Sequence, residues 1–541
     1  MNVTNLASIG PGEALDADVC IVGSGPAGAT IARELAGSSL GVILVESGDL
    51  SAQPSADALN EIENVGVART LDQSIVRNRI LGGTSHIWTG RCVELDEIDY
   101  EERPWVPHSG WPIGPGEMAP FLDRSAAHLG LGPGHGFKDD FWALSGRKRP
   151  EPRVDERLLR PFFWEFSRTR NMLEPMRFGP RMLTERAENV RVITSATLVH
   201  IDTDGSASEV RSVEVAAPDD SRRTVRARFV VLCAGGIENA RLLLASNRVS
   251  AAGLGNGHDL VGRFLMDHPR GGVAAFDPRK ALQLEPLFGF HTLRTERGTH
   301  LFCQGMRLSP EVQRREGLLN CAVWLSEIVS PDDPWSAVKR LAGGRAEWGR
   351  DARALLSNGG LMARGLYRNL VTHSGVPRKL LELGLNCTVE QRPDPDSRVT
   401  LADRVDRHGM RLSRVHWCVN EQEQVTVRRM AALTAEALGK LGLPVPVLEG
   451  WVKDGQGFPE NFSDVSHHIG TTRMADDPRE GVVDADCQVH GVRGLFVGGS
   501  SVFPTAGHAN PTQMIVALAV RLADTLKQRA RAEAEAEVAL A

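Results

Sequence analysis

The sequence predicts a Rossmann-like α/β dinucleotide-binding domain, discontinuous along the chain, joined to an α+β domain with an antiparallel sheet. Three observations carry this reading. Residues 18–49 run through an apolar stretch, a glycine turn, helix formers and a second apolar stretch ending in an acid. Residues 224–245 repeat strand, glycine turn and helix. Residues 273–450 carry alternating strands without any βαβ rhythm, which marks a separate antiparallel sheet.

In the first unit, Val19, Ile21 and Val22 lead into Gly23-Ser24-Gly25-Pro26-Ala27-Gly28, and residues 42–45 lead into Glu46. Gly23 suits the tight turn, Gly25 the close approach of a pyrophosphate, and Gly28 the packing of helix on strand. The helix start offers its positive end to the phosphates. Glu46, about 18 residues beyond Gly28, is placed to accept hydrogen bonds from a ribose diol. Ser47 follows it.

Residues 51–67 read as a polar excursion with some helix. Next comes a loop of small residues that includes Arg79, Gly82, Gly83, Thr84, Ser85, His86, Ile87, Trp88, Thr89 and Gly90. Paired glycines before hydroxyl residues expose backbone N–H groups, which suits a flat cofactor. A helix is expected from about residue 116 to 129, and a turn-rich boundary at 132–153. Residues 190–201, with Val199 near the end, read as one strand. Residues 224–233 read as another, feeding Ala234-Gly235-Gly236 and a helix at 240–245.

In the second domain, strands are expected at 301–306, 319–326, 385–391, 399–401 and 411–419, with a helix at 420–441. Residues 334–370 look helical and arginine-rich, a solvated insertion that also suits a lid, an oligomer contact or a membrane-surface patch. The C-terminal part returns to cofactor chemistry. His467-His468-Ile469-Gly470-Thr471 precedes a strand at 494–500 that includes Gly498, Gly499 and Ser500; then come His508, Asn510, Pro511 and Thr512, a helix at 513–526, and a charged tail that is helical or frayed. On this reading the dinucleotide domain comprises residues 1–150, 186–272 and 456–541. The second domain comprises 151–185 and 273–455.

Composition bounds the rest. The 541 residues are 42% hydrophobic with a net charge of −6, enough for a large core and without the basic block that nucleic acid requires. No apolar run reaches the ~20 residues of a membrane span, and the N-terminus lacks signal-peptide regions, so a cytoplasmic protein is expected. The eight cysteines (Cys20, Cys92, Cys233, Cys303, Cys321, Cys387, Cys418, Cys487) form no C-x-x-C pair and read as free, buried thiols.

Five pieces stand in one order: Gly23 to Gly28 with Glu46, the 82–90 loop, CAGGIENARLLL at 233–244, the H-x-x-G-T of His467, and the segment 498–512. Together they resemble the glucose–methanol–choline (GMC) flavin oxidoreductases over nearly the whole chain. SGWPI at 109–113 and ANPT at 509–512 look most like the branch with pyranose oxidase, fructose dehydrogenase and glycoside 3-oxidases. The resemblance implies the GMC oxidoreductase fold, FAD, and oxidation of an alcohol by a His/Asn pair, with His467 as base and Asn510 beside it. His508 is a rival whose slot holds small residues in that branch. Where pyranose oxidase links a histidine to its flavin this chain has Ile87, with His86 one residue earlier, so non-covalent FAD is expected. FAD contacts are expected from Gly23, Gly25, Pro26, Ala27, Gly28, Glu46, Ser47 and Arg79, and from Gly82 to Ser85 and Trp88 to Gly90. Val199, Ala234, Gly235, Gly499, Ser500, Asn510, Pro511 and Thr512 complete the set, with no metal.

A neutral imidazole with a pKa near 6.5 suits removal of a hydroxyl proton, and a neighbouring amide holds the oxygen without competing for that proton. His467 and Asn510 supply these groups, and Gln391, Trp88 and Trp417 are candidates for substrate contact. The leading reading is oxidation of a hydroxyl of a sugar, glycoside or aminosugar-like polyol, with oxygen or a quinone as external acceptor and oxygen slightly favoured. The alternatives are a flavin-containing lyase of the hydroxynitrile type, a dehydrogenase of a non-sugar alcohol, and a non-catalytic dinucleotide-binding subunit.

Overall fold

The computed structural model describes the chain except residues 11–12, 68–71, 133–140, 169–174, 296–297, 345–346, 373–374 and 541. Part of the expected turn-rich boundary at 132–153 therefore lies outside the described residues. Two eight-stranded sheets and one three-stranded sheet organise the molecule.

The first sheet is assembled from distant stretches of chain. Asn2–Asn5, Val190–Thr194, Val42–Val45, Leu15–Val22 and Arg222–Leu232 lie side by side and parallel. Val210–Ala216 and Thr197–Thr203 extend the sheet antiparallel. The strand Arg222–Leu232 is shared between partners: its start pairs with Val210–Ala216, and its last three residues pair in parallel with Leu495–Val497. Val22 aligns with Val45 and with Leu232, and Leu232 aligns with Val497. The residues that follow, Gly23, Glu46, Cys233 and Gly498, therefore emerge along one edge, the carboxyl end of the parallel strands, where α/β sheets bind ligands.

The helix Pro26–Leu35 packs on this sheet through buried Ala29, Ile31, Ala32 and Leu35. Gly28 is required there, since a Cβ would stand 1.9 Å from the carbonyl oxygen of Gly23. The final helix, Thr512–Leu540, packs beside it and includes the charged tail.

The second sheet has the order Val447–Leu448, Arg270–Phe276, Leu380–Val389, Cys321–Val329, Gly298–Leu308, Leu159–Phe166, Arg91–Cys92, with Phe290–Thr295 also on Gly298–Leu308. Its pairs are antiparallel. One face is covered by the helix Glu421–Lys440, whose Val427, Met430 and Leu433 share a core with Val323, Leu385 and Cys387. That helix begins with a reciprocal cap between Asn420 and Glu423. The other face presents Phe162, Trp164 and Trp324 toward the first domain's core.

Several expectations are corrected. The strand expected at 190–201 is two strands, because the chain turns at Ser195, whose φ of 55° breaks the extended run. Residues 51–67 include a strand, Ile62–Gly66, paired in parallel with Arg411–Trp417. The insertion is helical at Pro334–Ala342, Trp348–Ser357 and Gly359–Tyr367. The eight cysteines are free, and all but the half-buried Cys418 are buried. No helix among the described residues is long and apolar enough to cross a membrane.

Candidate active site

A cavity of about 440 Å³ is lined by residues at the carboxyl edge of the first sheet and by Arg91 and Arg270 of the second. At one end it is lined by Gly23, Gly25, Pro26 and Ala27, by Glu46 and Ser47, and by Arg79. Gly83, Thr84, Ser85, Trp88 and Thr89 form one wall; Ala234, Gly235, Gly499 and Ser500 face them. His467, Asn510, Pro511 and Thr512 lie at the other end.

Whether FAD fits can be asked of the empty space and the donors. Gly25, Gly235 and Gly499 have no atom within 4 Å of where a Cβ would stand, so their backbones open directly onto the cavity. Gly25 caps the helix Pro26–Leu35 without a side-chain hydrogen bond, which leaves the first-turn N–H groups for an anion. Glu46 is buried; its Oε2 accepts from Ser24 N–H at 2.9 Å and Ser24 Oγ at 2.6 Å, and its Oε1 from Gly48 N–H at 2.8 Å. These bonds fix the carboxylate at the strand end. Arg79 ties this rim together, donating to Asn60 Oδ1 at 2.9 Å and Ser47 Oγ at 3.1 Å and pairing with Glu238 at 3.3 Å. Phosphate donors at Gly25, an acid for a ribose at Glu46 and a wall of small residues for a flat ring match FAD.

At the far end, the backbone of Ser466 adopts φ 61°, a conformation side chains rarely take and one that clusters at functional sites. Asp267 holds this bend. Its Oδ1 accepts from the N–H groups of His268, Val465 and His467 at 2.7, 3.2 and 3.1 Å. His268 is buried, and burial lowers its pKa, so its ring is neutral. Its Nε2 lies 2.9 Å from Gly507 O, and a carbonyl only accepts, so Nε2 carries the proton. Its Nδ1, 2.9 Å from His467 Nδ1, is then the acceptor. His467 therefore donates from Nδ1, and its lone pair sits on Nε2. Because Gly507 belongs to the loop that bears Asn510, His268 also braces one catalytic candidate against the other.

Other expected positions fall elsewhere. Gln391 is fully buried away from the cavity: its Oε1 accepts from Asp267 N–H at 2.7 Å and Trp417 Nε1 at 2.9 Å, and its Nε2 donates to Cys418 O. Gln391 and Trp417 thus hold the Asp267 segment, and neither lines the cavity. Ala196 and Leu198 line the cavity in place of Val199, which the strand pairing skips in a register shift between Leu198 and His200. Gly28, Gly82 and Gly90 are packing positions; a Cβ at Gly82 would meet Gly179 N at 2.3 Å, and one at Gly90 would meet Ser167 O at 2.6 Å. His86 bonds Leu81 O through Nε2 at 2.9 Å, whereas Ile87 faces the cavity.

His508 is buried outside the lining, in a group with Asp96 and Asp99. Burial holds its pKa down at about 4. The sequence reading missed Asp267, His268, Arg91 and Arg270. The last two line the cavity, and nothing in their local sequence sets them apart from surface arginines.

Comparison with known proteins agrees with this geometry. Residues 18–303 match the family model of FAD dependent oxidoreductases, and residues 393–519 match the GMC oxidoreductase model. The chain is 24% identical to a 2-methyl-1,2-propanediol dehydrogenase of Mycolicibacterium austroafricanum over 95% of each chain. It is 25% identical to the fructose dehydrogenase large subunit of Gluconobacter japonicus over 62% of this chain, a match that spans about half (54%) of that relative's length. Among solved structures, a formate oxidase superposes with a TM-score of 0.57 at 17% identity, covering 96% of this chain and 99% of that one, a likeness of fold. The chain belongs to the FAD dependent oxidoreductases, and its residues 393–519 are similar to the GMC oxidoreductases.

Proposed function

We propose that the protein oxidises a hydroxyl group of a sugar, glycoside or related polyol to a carbonyl, with His467 as the base. The observation that carries this is the pairing of His268 with His467, which puts the lone pair on His467 Nε2 in a residue lining the same cavity as the dinucleotide cradle. That nitrogen takes the hydroxyl proton, and the Asn510 carboxamide, lining the same end, holds the hydroxyl oxygen. Asp267 keeps the His467 segment in its bent conformation. Bound FAD supplies the acceptor for the hydride that leaves the same carbon. The relatives named for a sugar and for a diol support a polyhydroxy substrate, and Ile87 in the cavity wall with His86 turned to Leu81 O supports non-covalent FAD.

The test is a panel of sugars, glycosides and polyols added to the enzyme without oxygen while flavin absorbance is followed. Bleaching by at least one member, with a carbonyl product, is the expected result. A flavin that stays oxidised while substrate is consumed would assign lyase chemistry instead.

A further inference from the structure

We propose that Arg91 and Arg270 form a subsite for an anionic substituent of the substrate, a carboxylate or a phosphate ester, which makes the natural substrate an acidic sugar or polyol. The proposal rests on the oxidation reading of the same cavity.

The two residues come from opposite parts of the second sheet. Arg91 begins the short strand that pairs with Phe166, and Arg270 begins the strand Arg270–Phe276. Both guanidinium groups lie against one indole, 5.2 and 5.3 Å from the Trp324 ring centre, and Arg91 also lies 5.2 Å from that of Trp164. Both line the cavity. Arg270 belongs to its His467 end, since its N–H and C=O bond Ser463 at 2.9 and 3.0 Å, just ahead of the Ser466 bend.

Neither guanidinium has an ion pair or hydrogen bond among the described residues; their contacts are aromatic faces. Arg91 is half-buried and Arg270 is exposed, whereas the fully buried Arg103 and Arg241 are paired. Arg103 meets Glu390 at 2.5 and 2.8 Å, and Arg241 meets Glu238 at 3.1 Å and Asp406 at 2.6 Å. Desolvation lowers the pKa of Arg91 and of Arg270, and Arg91 lowers that of Arg270 further. Two like charges on one indole without a counter-ion favour a ligand that supplies negative charge. The planar forks match carboxylate and phosphate oxygens, and stacking on indole holds them while their N–H edges stay available. The pyrophosphate cradle at Gly25 lies on the other sheet, so the pair is not needed there.

Flavin difference spectra of the FAD-loaded enzyme, recorded without oxygen, test the assignment. D-glucuronate, D-glucose 6-phosphate and D-glucose are the probes. At least one anionic sugar is expected to bind about tenfold or more tightly than glucose, the better of the two naming the oxyanion. Arg91→Gln and Arg270→Gln should retain FAD and abolish that preference, and Arg270→Lys should keep part of it. Equal binding of neutral and anionic sugars, no spectral response to either anion, or an unchanged preference in the Gln variants would overturn the assignment. Loss of FAD from the Gln variants would give the pair to the cofactor and also overturn it. Because the titration reads binding alone, anion binding without any flavin bleaching would count against the oxidation reading and leave the subsite standing.

Discussion

The ring nitrogen Nδ1 of His268 lies 2.9 Å from Nδ1 of His467, the two rings nearly perpendicular at 83°. Only one proton fits between them. Since His268 spends its other nitrogen on the Gly507 carbonyl, that proton belongs to His467, and a buried neighbour chooses which nitrogen of His467 carries the lone pair.

His268→Phe removes the acceptor and frees His467 to adopt the other tautomer. Flavin reduction by substrate should slow by roughly tenfold or more, part of the ~10²–10⁴ that a positioned base supplies. His268→Asn, whose amide can accept from His467 and donate to Gly507, should recover much of the rate. Equal loss in both variants, with unchanged pH profiles, would reduce His268 to a packing role.

His467→Ala should lower the rate of flavin reduction by about 100-fold or more while FAD content stays near one per chain. Asn510→Ala should cost less, because positioning is lost and the base remains. A His467→Ala enzyme reduced at the wild-type rate would move the base elsewhere.

Acid precipitation should leave the flavin in the supernatant, because the cavity wall offers Ile87 and His86 is tied to Leu81 O. Flavin retained by the precipitate would show a covalent bond.

Thr89 lines the cavity, and on the oxidase reading its hydroxyl assists reaction with oxygen. Substrate-reduced enzyme should reoxidise within seconds in air and release hydrogen peroxide. Reduced flavin that persists for minutes in air, yet is cleared by a quinone dye, would identify a dehydrogenase.

Asp99 titrates far from its usual range. Burial, then Glu390 and Asp96, push its pKa up to about 8, against the pull of Arg103 and the Asn320 hydrogen bond, with His508 also facing it. In the unfolded chain its pKa is about 3.9. Between about pH 4 and about pH 8 the native state thus holds a proton that the unfolded state releases. Its contribution to stability is full below about pH 4 and declines by up to about 1.4 kcal/mol per pH unit as pH rises through that window. Asp99→Asn removes this slope. The wild-type Tm should fall relative to that of the variant between about pH 5 and pH 7.5; parallel curves would show that Asp99 is ionised in the native protein.

What the sequence determined by itself was local. The Gly23, Gly25 and Gly28 spacing, the apolar runs either side of it and Glu46 specify one βαβ unit through contacts within about 30 residues. The H-x-x-G-T and A-N-P-T segments likewise marked His467 and Asn510 because each sits in a short segment of recognisable type. Tertiary structure decided what depends on register. Val199 gave way to Ala196 and Leu198, and the strand pairing skips Val199 in a register shift between Leu198 and His200. The strand Leu159–Phe166 was not legible, since its continuous aromatic run does not alternate and Pro161 interrupts its hydrogen bonding. Gln391 looked like a substrate contact from its place at a strand end, but its amide is consumed by Asp267, Trp417 and Cys418, which approach it from other segments. His268 and His467 stand 199 residues apart, and Arg91 and Arg270 reach the same Trp324 ring from separate strands. Local propensity carries no information about such meetings; the packing of one sheet against the other creates them.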